Sequence, residues 1–247
     1  MGGNNMKQHL LAGALLSTVL VISAGCSPFE SVTFGKGNGS EYDVNVKKDS
    51  AEELEVDLRH GAGELNVSGG ASEWVTGDIV YNNEKLEPVV KYDLHDGRGD
   101  IVVKQKGNSG IRLGSTKNDW NLQLTNEVPI DLRVESGASD TNLDLSGLHL
   151  TDLKVDAGVG EVEVDLSGKW KESFDVHINT GVGETTVILP ESAGVQIQSE
   201  EGLGTSNFEG FTSTGENIYV NDAFDTAETI ITVKVETGVG EVNFELE

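Results

Sequence analysis

Hydrophobic and polar residues alternate one by one along most of the chain from Leu54 onward. Alternation with a period of two is typical of a β-strand that buries one face and exposes the other. The clearest stretches with this pattern are residues 54–58, 130–134, 162–166, 231–235 and 242–246. The best helical candidate beyond residue 26, Asn221 to Glu228, is long enough for a single turn. The sequence therefore predicts an all-β protein.

A short glycine-rich motif, which we call a corner, recurs between the predicted strands. In most copies two glycines flank one variable residue, and an acidic residue follows the second glycine position. The corner glycines are Gly61 and Gly63, Gly97 and Gly99, Gly137, Gly158 and Gly160, Gly181 and Gly183, Gly202 and Gly204, and Gly238 and Gly240. The first glycines of successive copies stand 36, 40, 21, 23, 21 and 36 residues apart. Internal repeats of this length are typical of stacked arrays.

The repeat spacing favours a β-solenoid-like stack of short parallel strands. A single coil cannot bury its apolar face alone, so neighbouring coils must stack in register. The two glycines permit positive φ or a close backbone approach, and we expect the apolar residue between them, such as Val159, to point inward. The alternative is an antiparallel β-sandwich, which the alternation also fits.

In-register stacking would align the acidic residues of the corners along one edge. This predicted acidic ladder consists of Glu64, Asp100, Asp140, Glu161, Glu184 and Glu241. One carboxylate per corner falls short of the six to eight oxygen ligands that Ca²⁺ takes. We therefore expect solvated acids, with no metal site and no cofactor. The tripeptide Arg98-Gly99-Asp100 is interpreted as part of one corner copy.

Charge and composition restrict the classes of function. The 247-residue chain has 42 Asp and Glu against 17 Lys and Arg, giving a net charge of −25, so a nucleic acid is not expected as a partner. The chain has 1 cysteine, which excludes a disulfide framework and a zinc site with several thiolates. Nucleophile elbows, phosphate loops and paired histidines at metal spacing are missing from the sequence. No catalytic residue is predicted.

The N-terminus has the pattern of a bacterial lipoprotein signal. The apolar run from Leu10 to Ile22 is short for a bilayer span and fits the core of a signal peptide. It ends in Ser23-Ala24-Gly25-Cys26, which resembles a lipobox. Residues 1–25 are therefore predicted to be a lipoprotein signal peptide, with lipidated Cys26 as the mature N-terminus. The alternative is an ordinary secretory signal that contains a cysteine.

The remaining chain is divided into three predicted sections. Residues 26–47 are rich in Gly, Ser and Asn and are interpreted as the lipid anchor and a flexible tether. Residues 48–107 form an irregular first section, and residues 108–247 form the repeat section. The long last spacing between corners is interpreted as an inserted loop around residues 211–224. These features place the domain on the extracytoplasmic face of a bacterial cell membrane, held there by the lipid on Cys26.

Two stretches resemble a known group of envelope proteins. Leu54 to Gly70, followed by Pro88 to Tyr92 and Gly99 to Gln105, resembles the N-terminal motif of the toast-rack domain. Asp156 to Pro190, with two Gly-Val-Gly-Glu corners, is similar to the putative-adhesin and cell-wall-active-antibiotic-response (LiaF-like) group. The resemblance implies an all-β repeat domain outside a bacterial membrane, without enzymatic function. The family has no catalytic residues that the resemblance could assign to positions of this chain.

Three hypotheses for function follow. The first is a non-catalytic, lipid-anchored scaffold or binding module of the cell surface that contacts an envelope protein or a wall polymer. The second is a regulator of an envelope-stress or cell-wall-antibiotic response that acts through a membrane sensor protein. The third is a wall-glycan hydrolase that uses two of the many carboxylates, which requires a pair in one cleft with separated pKa values.

Overall fold

The computed structural model describes residues 40–107 and 117–247, which belong to one compact unit. The predicted signal peptide, Cys26 and residues 27–39 of the predicted tether lie outside the described residues. The strands are β1 (Ser40–Val46), β2 (Glu53–Gly69), β3 (Val75–Tyr81), β4 (Pro88–His95), β5 (Arg98–Gln105), β6 (Asn118–Leu124), β7 (Ile130–Asp144), β8 (Leu150–Asp165), β9 (Phe174–Leu189), β10 (Gly194–Phe208), β11 (Thr212–Gly215), β12 (Ile218–Val220) and β13 (Ile230–Leu246). One 3-10 turn, Glu84–Leu86, lies between β3 and β4. The described residues contain no helix that could span a membrane.

Six long strands form the body of the molecule, in the spatial order β2-β7-β8-β9-β13-β10. All five neighbouring pairs are parallel. The C-terminal strand β13 is inserted between β9 and β10, so the order in space departs from the order in the chain. The predicted repeat-built stack is confirmed, and the antiparallel sandwich is not adopted.

Each long strand folds over at its corner. The hydroxyl oxygens of Thr180 and Thr185, five residues apart in β9, are 3.3 Å apart, whereas an extended strand would separate these positions by about 17 Å. Ser136 and Thr141 of β7 make the same contact at 3.3 Å. A long strand therefore consists of a first half before the corner and a second half after it.

Both halves bury their side chains in one core. In β8, beyond a register shift that follows the buried Leu150, the buried positions are odd-numbered before the corner (Leu153, Val155) and even-numbered after it (Val162, Val164). The change of phase keeps the apolar side chains of both halves in a single hydrophobic cluster. It occurs at Gly160, whose φ is +141°. A Cβ there would lie 2.0 Å from the carbonyl oxygen of Ser139 on β7, so the position requires glycine.

The stack is closed differently at its two ends. At one end, the first half of β2 pairs with β5, and the second half of β2 pairs with the separate strand β6. On the first-half side, β4 pairs with the outer edge of β5. On the second-half side, β3 pairs with β6 and β1 pairs with β3. Beside β10, the small hairpin β11–β12 pairs with Gln196–Gln198. This hairpin occupies the predicted inserted loop around residues 211–224.

Two predictions of organisation are corrected. Residues 40–46 of the predicted flexible tether are strand β1, which pairs with β3 and buries Val44 and Val46. Gly97 and Gly99 do not form a corner. Asp96 and Gly97, with φ of 51° and 86°, are the two-residue turn of the β4–β5 hairpin, because a tight hairpin turn of this type needs positive φ at both residues.

Candidate functional site at the corner edge

The corners of the six long strands lie side by side and form a surface that we call the corner edge. The residues between the two glycine positions are in register from strand to strand, as in the pairs Val159–Val182, Val182–Val239 and Val239–Leu203. The full row, which we call the apolar row, is Ala62, Ala138, Val159, Val182, Val239 and Leu203. Neighbouring members are separated by about 4.8 Å, the distance between strands.

The apolar row faces the solvent. Val159 is 55% exposed, Val182 47%, Val239 45% and Leu203 72%. The expectation that these residues point inward is therefore wrong. On β7, β9 and β13 the interior of the corner instead holds short hydroxyl side chains, such as Thr180 and Thr237, whose oxygens are 2.9 Å apart. These hydroxyl groups supply hydrogen-bond partners inside the bend, where the regular backbone hydrogen bonding between neighbouring strands is interrupted.

An acidic row runs beside the apolar row on its second-half side. The pairs Glu161–Glu184 and Glu184–Glu241 are in register, as are Glu64 and Asp140. The acidic row is Asp119, Glu64, Asp140, Glu161, Glu184 and Glu241. The predicted ladder is corrected at one position. Asp100 lies beside Glu55 on the first-half side, because its strand belongs to the β4–β5 hairpin.

Asp119 is the member of the acidic row that sequence reasoning missed. It follows no corner, because β6 starts only at Asn118, but its pairing with Glu64 places it at the end of the row. Two other members accept hydrogen bonds from amide side chains on the next strand. Asn243 donates to Glu184 at 3.1 Å and Asn207 donates to Glu241 at 2.9 Å. The described residues contain no group of three or more His, Cys, Asp or Glu side chains that could hold a metal ion.

A shallow groove of about 840 Å³ runs along the other side of the apolar row, next to the first corner glycines. Its charged lining residues are all acidic: Asp156, Glu200, Glu201 and Glu236. Burial opposes the ionisation of Asp156, but hydrogen bonds from Asn179 and Lys154 outweigh it and lower the pKa of Asp156. The apolar row therefore lies between two lines of carboxylates.

A second groove, of about 470 Å³, lies on the second halves at the β7-β2-β6-β3 end. It is lined by amides and acids, including Asn66, Asn121, Asn142 and Asp78. Asn66 donates to Asn121 at 3.1 Å, and Asn121 donates to Asp78 at 3.0 Å. These polar groups are already paired with one another, so the groove is less available for a ligand than the corner edge.

His60, at the end of the first half of β2, is a buried titratable side chain beside the corner edge. It is 3% exposed, its Nε2 lies 3.1 Å from the carbonyl oxygen of Asn118, and its ring packs edge-on against Trp120. Burial lowers the pKa of His60 to about 4, although the Asn118 carbonyl and the charge of Asp119 act in the opposite direction. The imidazole is neutral at pH 7 and has a structural role between β2 and β6.

The architecture and the corner edge define a class of protein: a repeat-built parallel β-stack that presents one continuous edge of apolar and acidic side chains. The family model for the N-terminal domain of toast_rack, DUF2154, matches residues 35–188, which is more than half of the chain. The chain belongs to this toast-rack family. The matched residues include strands β1 to β8 and all of β9 except its last residue.

The chain was also compared with solved structures, of which one is similar in both sequence and fold. A putative cell adhesion protein from Clostridium sporogenes is 36% identical, with a TM-score of 0.82, over 85% of this chain and 100% of that chain. A putative adhesin from Bacteroides fragilis is 11% identical over 85% of this chain and 98% of that chain, with a TM-score of 0.22. A putative adhesin from Parabacteroides merdae is 12% identical over 84% and 97%, with a TM-score of 0.23. None of the curated proteins matches this chain.

Proposed function

We propose that this chain is a non-catalytic binding module of the bacterial cell surface, anchored by a lipid on Cys26. The observation that carries the proposal is the likeness to the putative cell adhesion protein from C. sporogenes over the whole length of that protein. The Ser23-Ala24-Gly25-Cys26 motif supports the anchor. An adhesion role requires an exposed surface on a rigid support, and the corner edge is such a surface.

The corner edge is the binding surface in this proposal. The corner residues of β8, β9, β13 and β10 expose large apolar side chains in register, and exposed apolar patches of this kind mark interaction sites. Carboxylates flank them on both sides. The matching partner therefore carries basic groups on either side of an apolar contact, on an envelope protein or a wall polymer.

The positions of the carboxylates argue against the wall-glycan hydrolase. Asp152 is the described carboxylate whose pKa is raised, through burial and the nearby charge of Asp131. It lies outside both grooves. A hydrolase needs one carboxylic acid with a raised pKa facing an ionised carboxylate in the cleft that holds the sugar.

The binding test compares variants of the corner edge with a matched control. The Val159→Ser and Val182→Ser double variant is compared with Leu94→Ser, which changes an apolar residue on the β4–β5 hairpin that is 38% exposed. Cross-linking on intact cells identifies bound envelope proteins, and co-sedimentation with insoluble cell wall measures binding to wall polymer. We expect the double variant to bind about tenfold less and Leu94→Ser to bind like the wild type.

The same assays separate the alternatives. Equal binding by both variants contradicts the corner edge as the binding surface. Cross-linking to a membrane sensor protein alone would support the regulatory hypothesis instead. For the anchor, we expect Cys26→Ser to release the protein from the membrane fraction and to abolish fatty-acid labelling. Retention of the variant in membranes, or a wild type without label, contradicts the lipoprotein assignment.

A further inference from the structure

The exposed apolar side chains of the corner edge are concentrated on four neighbouring strands, β8, β9, β13 and β10. The residues that follow one another there in register are Val159, Val182, Val239 and Leu203, and each is at least 45% exposed. On β7 and β2 the same positions hold alanine. β10 is the last long strand of the stack, and in the described part of the chain no strand pairs with residues 200–208 on its outer side. Three strand spacings of about 4.8 Å make the exposed part of the apolar row about 14 Å long.

Carboxylates stand on both sides of this part of the row. The line on the second-half side consists of Glu161, Glu184 and Glu241. The line on the first-half side consists of Asp156, Glu236 and Glu200, with Asn179 in register on β9. The two halves of each strand pack face to face about 10 Å apart, so the two acidic lines lie on opposite sides of the row.

The two acidic lines differ in how far cations offset them. On the first-half side, Lys154 contacts Asp156 at 3.0 Å, and Lys234 pairs with Glu236. The second halves of the six long strands contain no Lys or Arg. Acids on that side accept hydrogen bonds from neutral amides, as Glu184 does from Asn243. The second-half side therefore attracts a cation more strongly than the first-half side.

The spacing of the row fits a helix better than a strand. Apolar side chains on one face of an α-helix recur once per turn, about every 5.4 Å, whereas those on one face of a strand recur about every 6.7 Å. Over the three intervals from Val159 to Leu203, a helix departs from the row by about 2 Å and a strand by about 6 Å. A helix with its side chains is also about 10–12 Å wide, close to the separation of the two strand halves.

The chemistry of the row and its flanks argues against other kinds of partner. Lipids and polymers that carry phosphate or carboxylate groups are repelled by both acidic lines. The side chains of the row are aliphatic, so they offer a neutral glycan neither a hydrogen bond nor an aromatic face. A protein segment with apolar and basic side chains matches both the row and its flanks.

We propose that the partner of the corner edge is a basic amphipathic helix of an envelope protein. Its apolar face lies along the exposed part of the apolar row, and Lys or Arg side chains on both flanks of that face reach the two acidic lines. The more basic flank faces Glu161, Glu184 and Glu241. This inference rests on the proposed function, which makes the corner edge the binding surface, and it adds the kind of partner and its orientation.

Two synthetic peptides of the same composition test the helix. One peptide of about 18 residues, long enough to form a helix, carries leucine once per turn on one face and lysine on both sides of that face. The other peptide places leucine and lysine on the two faces of a strand. Binding is measured to the immobilised full chain in a mild non-ionic detergent, after subtraction of a protein-free detergent surface. We expect the first peptide to bind at least about tenfold more tightly, and the Val159→Ser and Val182→Ser double variant to lose that preference.

Three charge variants test the orientation, and each removes three negative charges. The second-half variant carries Glu161→Gln, Glu184→Gln and Glu241→Gln. The first-half variant carries Asp156→Asn, Glu200→Gln and Glu236→Gln. The matched control carries Glu191→Gln, Asp225→Asn and Glu228→Gln, which are exposed acids in loops outside the corner edge. For the first peptide we expect binding to fall about tenfold, about threefold and less than about twofold, respectively.

Equal binding of the two peptides to the wild type overturns the proposal. So does a first peptide whose binding is unchanged in the double variant, or one that the second-half variant binds as well as the control does. The assays with intact cells and insoluble cell wall separate these failures from a failure of the proposed function. If the double variant loses binding in those assays although the two peptides bind equally, the corner edge binds a partner of another kind, such as wall polymer, and the helix is wrong. If the double variant binds like the wild type in those assays, the corner edge is not the binding surface and both proposals are wrong.

Discussion

The outer faces of the two strand halves differ in charge although they share strands, register and core. The outer face of the first halves carries a row of basic side chains, Arg133, Lys154, His177 and Lys234, on neighbouring strands. The second halves, from corner to strand end, contain no Lys or Arg in any of the six long strands. Their outer positions are acidic, amide or hydroxyl residues with one exception, Ile188.

The basic residues of the first halves are paired with acids on the same face. Arg133 contacts Glu55 at 3.3 Å and Asp131 at 3.5 Å. Lys154 contacts Asp156 at 3.0 Å, and Arg98 pairs with Glu55. On the second halves, the carboxylates receive amide hydrogen bonds from Asn207 and Asn243. The negative charge of the first-half face is thus partly offset by ion pairs, whereas the second-half face of the six long strands has no Lys or Arg and keeps a stronger negative field that is available to a partner.

The largest expected effect on stability comes from a substitution in the corner, which joins the two faces. Gly183 has φ of +149°, and a Cβ there would lie 1.8 Å from the Gly160 oxygen. Gly183→Val should therefore lower the free energy of unfolding by at least about 3 kcal/mol or prevent folding. The measurement is thermal and denaturant unfolding in buffer with a chelator.

Gly215→Val is the control for this substitution, because a Cβ at Gly215 meets nothing within 4 Å. We expect it to unfold close to the wild type. Glu184→Gln, next to the test position, should also cost little, since the amide oxygen can still accept from Asn243. A Gly183→Val protein as stable as the wild type contradicts the account of the corner.

The second effect is a loss of stability in acid through His60 at the N-terminal end of the stack. Its pKa is about 4 in the folded protein and 6.5 when unfolded. Between these values the unfolded state binds the proton and the folded state does not. The contribution of His60 is therefore complete above pH 6.5 and falls by about 3 kcal/mol as the pH drops to 4.

His60→Gln isolates this contribution from that of the many carboxylates. Denaturant unfolding of both proteins between pH 7 and pH 4 should show a shallower decrease for the variant. The variant itself is expected to be less stable at pH 7, because the packing against Trp120 changes. Equal pH slopes for the two proteins would show that His60 titrates normally in the folded state.

A third effect inverts the charge contrast between the faces. Arg133→Glu removes two ion pairs from the basic row and should destabilise the fold by about 1 kcal/mol. Glu161→Lys introduces a cation into the acidic row and should stabilise it by a few tenths of a kcal/mol, about the size of a cross-strand pair. Unfolding at low ionic strength measures both. Effects of the same sign would show that the two faces do not differ electrostatically.

The smallest effect is the response of the acidic row to salt. Repulsion between exposed carboxylates about 4.8 Å apart is on the order of 1 kcal/mol in water and is screened by salt. Sodium chloride should therefore raise the melting temperature modestly, and calcium at equal ionic strength should do the same. A saturable shift at low millimolar calcium that is lost in Glu161→Gln and Glu184→Gln would instead identify a calcium site.

Several features of the site follow from local sequence alone. Alternation predicts the strands because every second side chain must be apolar when one face is buried, as in Leu54, Val56 and Leu58. The repeat spacing predicts the parallel register of Glu161 with Glu184, because identical units stack most closely when their glycines align. These inferences use interactions that recur along the chain.

Other features depend on which strands become neighbours, and local sequence does not contain that information. Gly97-Arg98-Gly99-Asp100 has the corner pattern but forms a hairpin, because β4 pairs antiparallel with β5. Asp119 has no corner motif but joins the acidic row through the pairing of β6 with β2. β13 enters between β9 and β10, which leaves Leu203 at the open end of the stack. The sequence determined the strands, the corners and the alternation of burial, because these depend on a few adjacent residues. Only the tertiary structure decided the strand order, the outward direction of the apolar row and the unpaired edge, because these depend on long-range backbone packing.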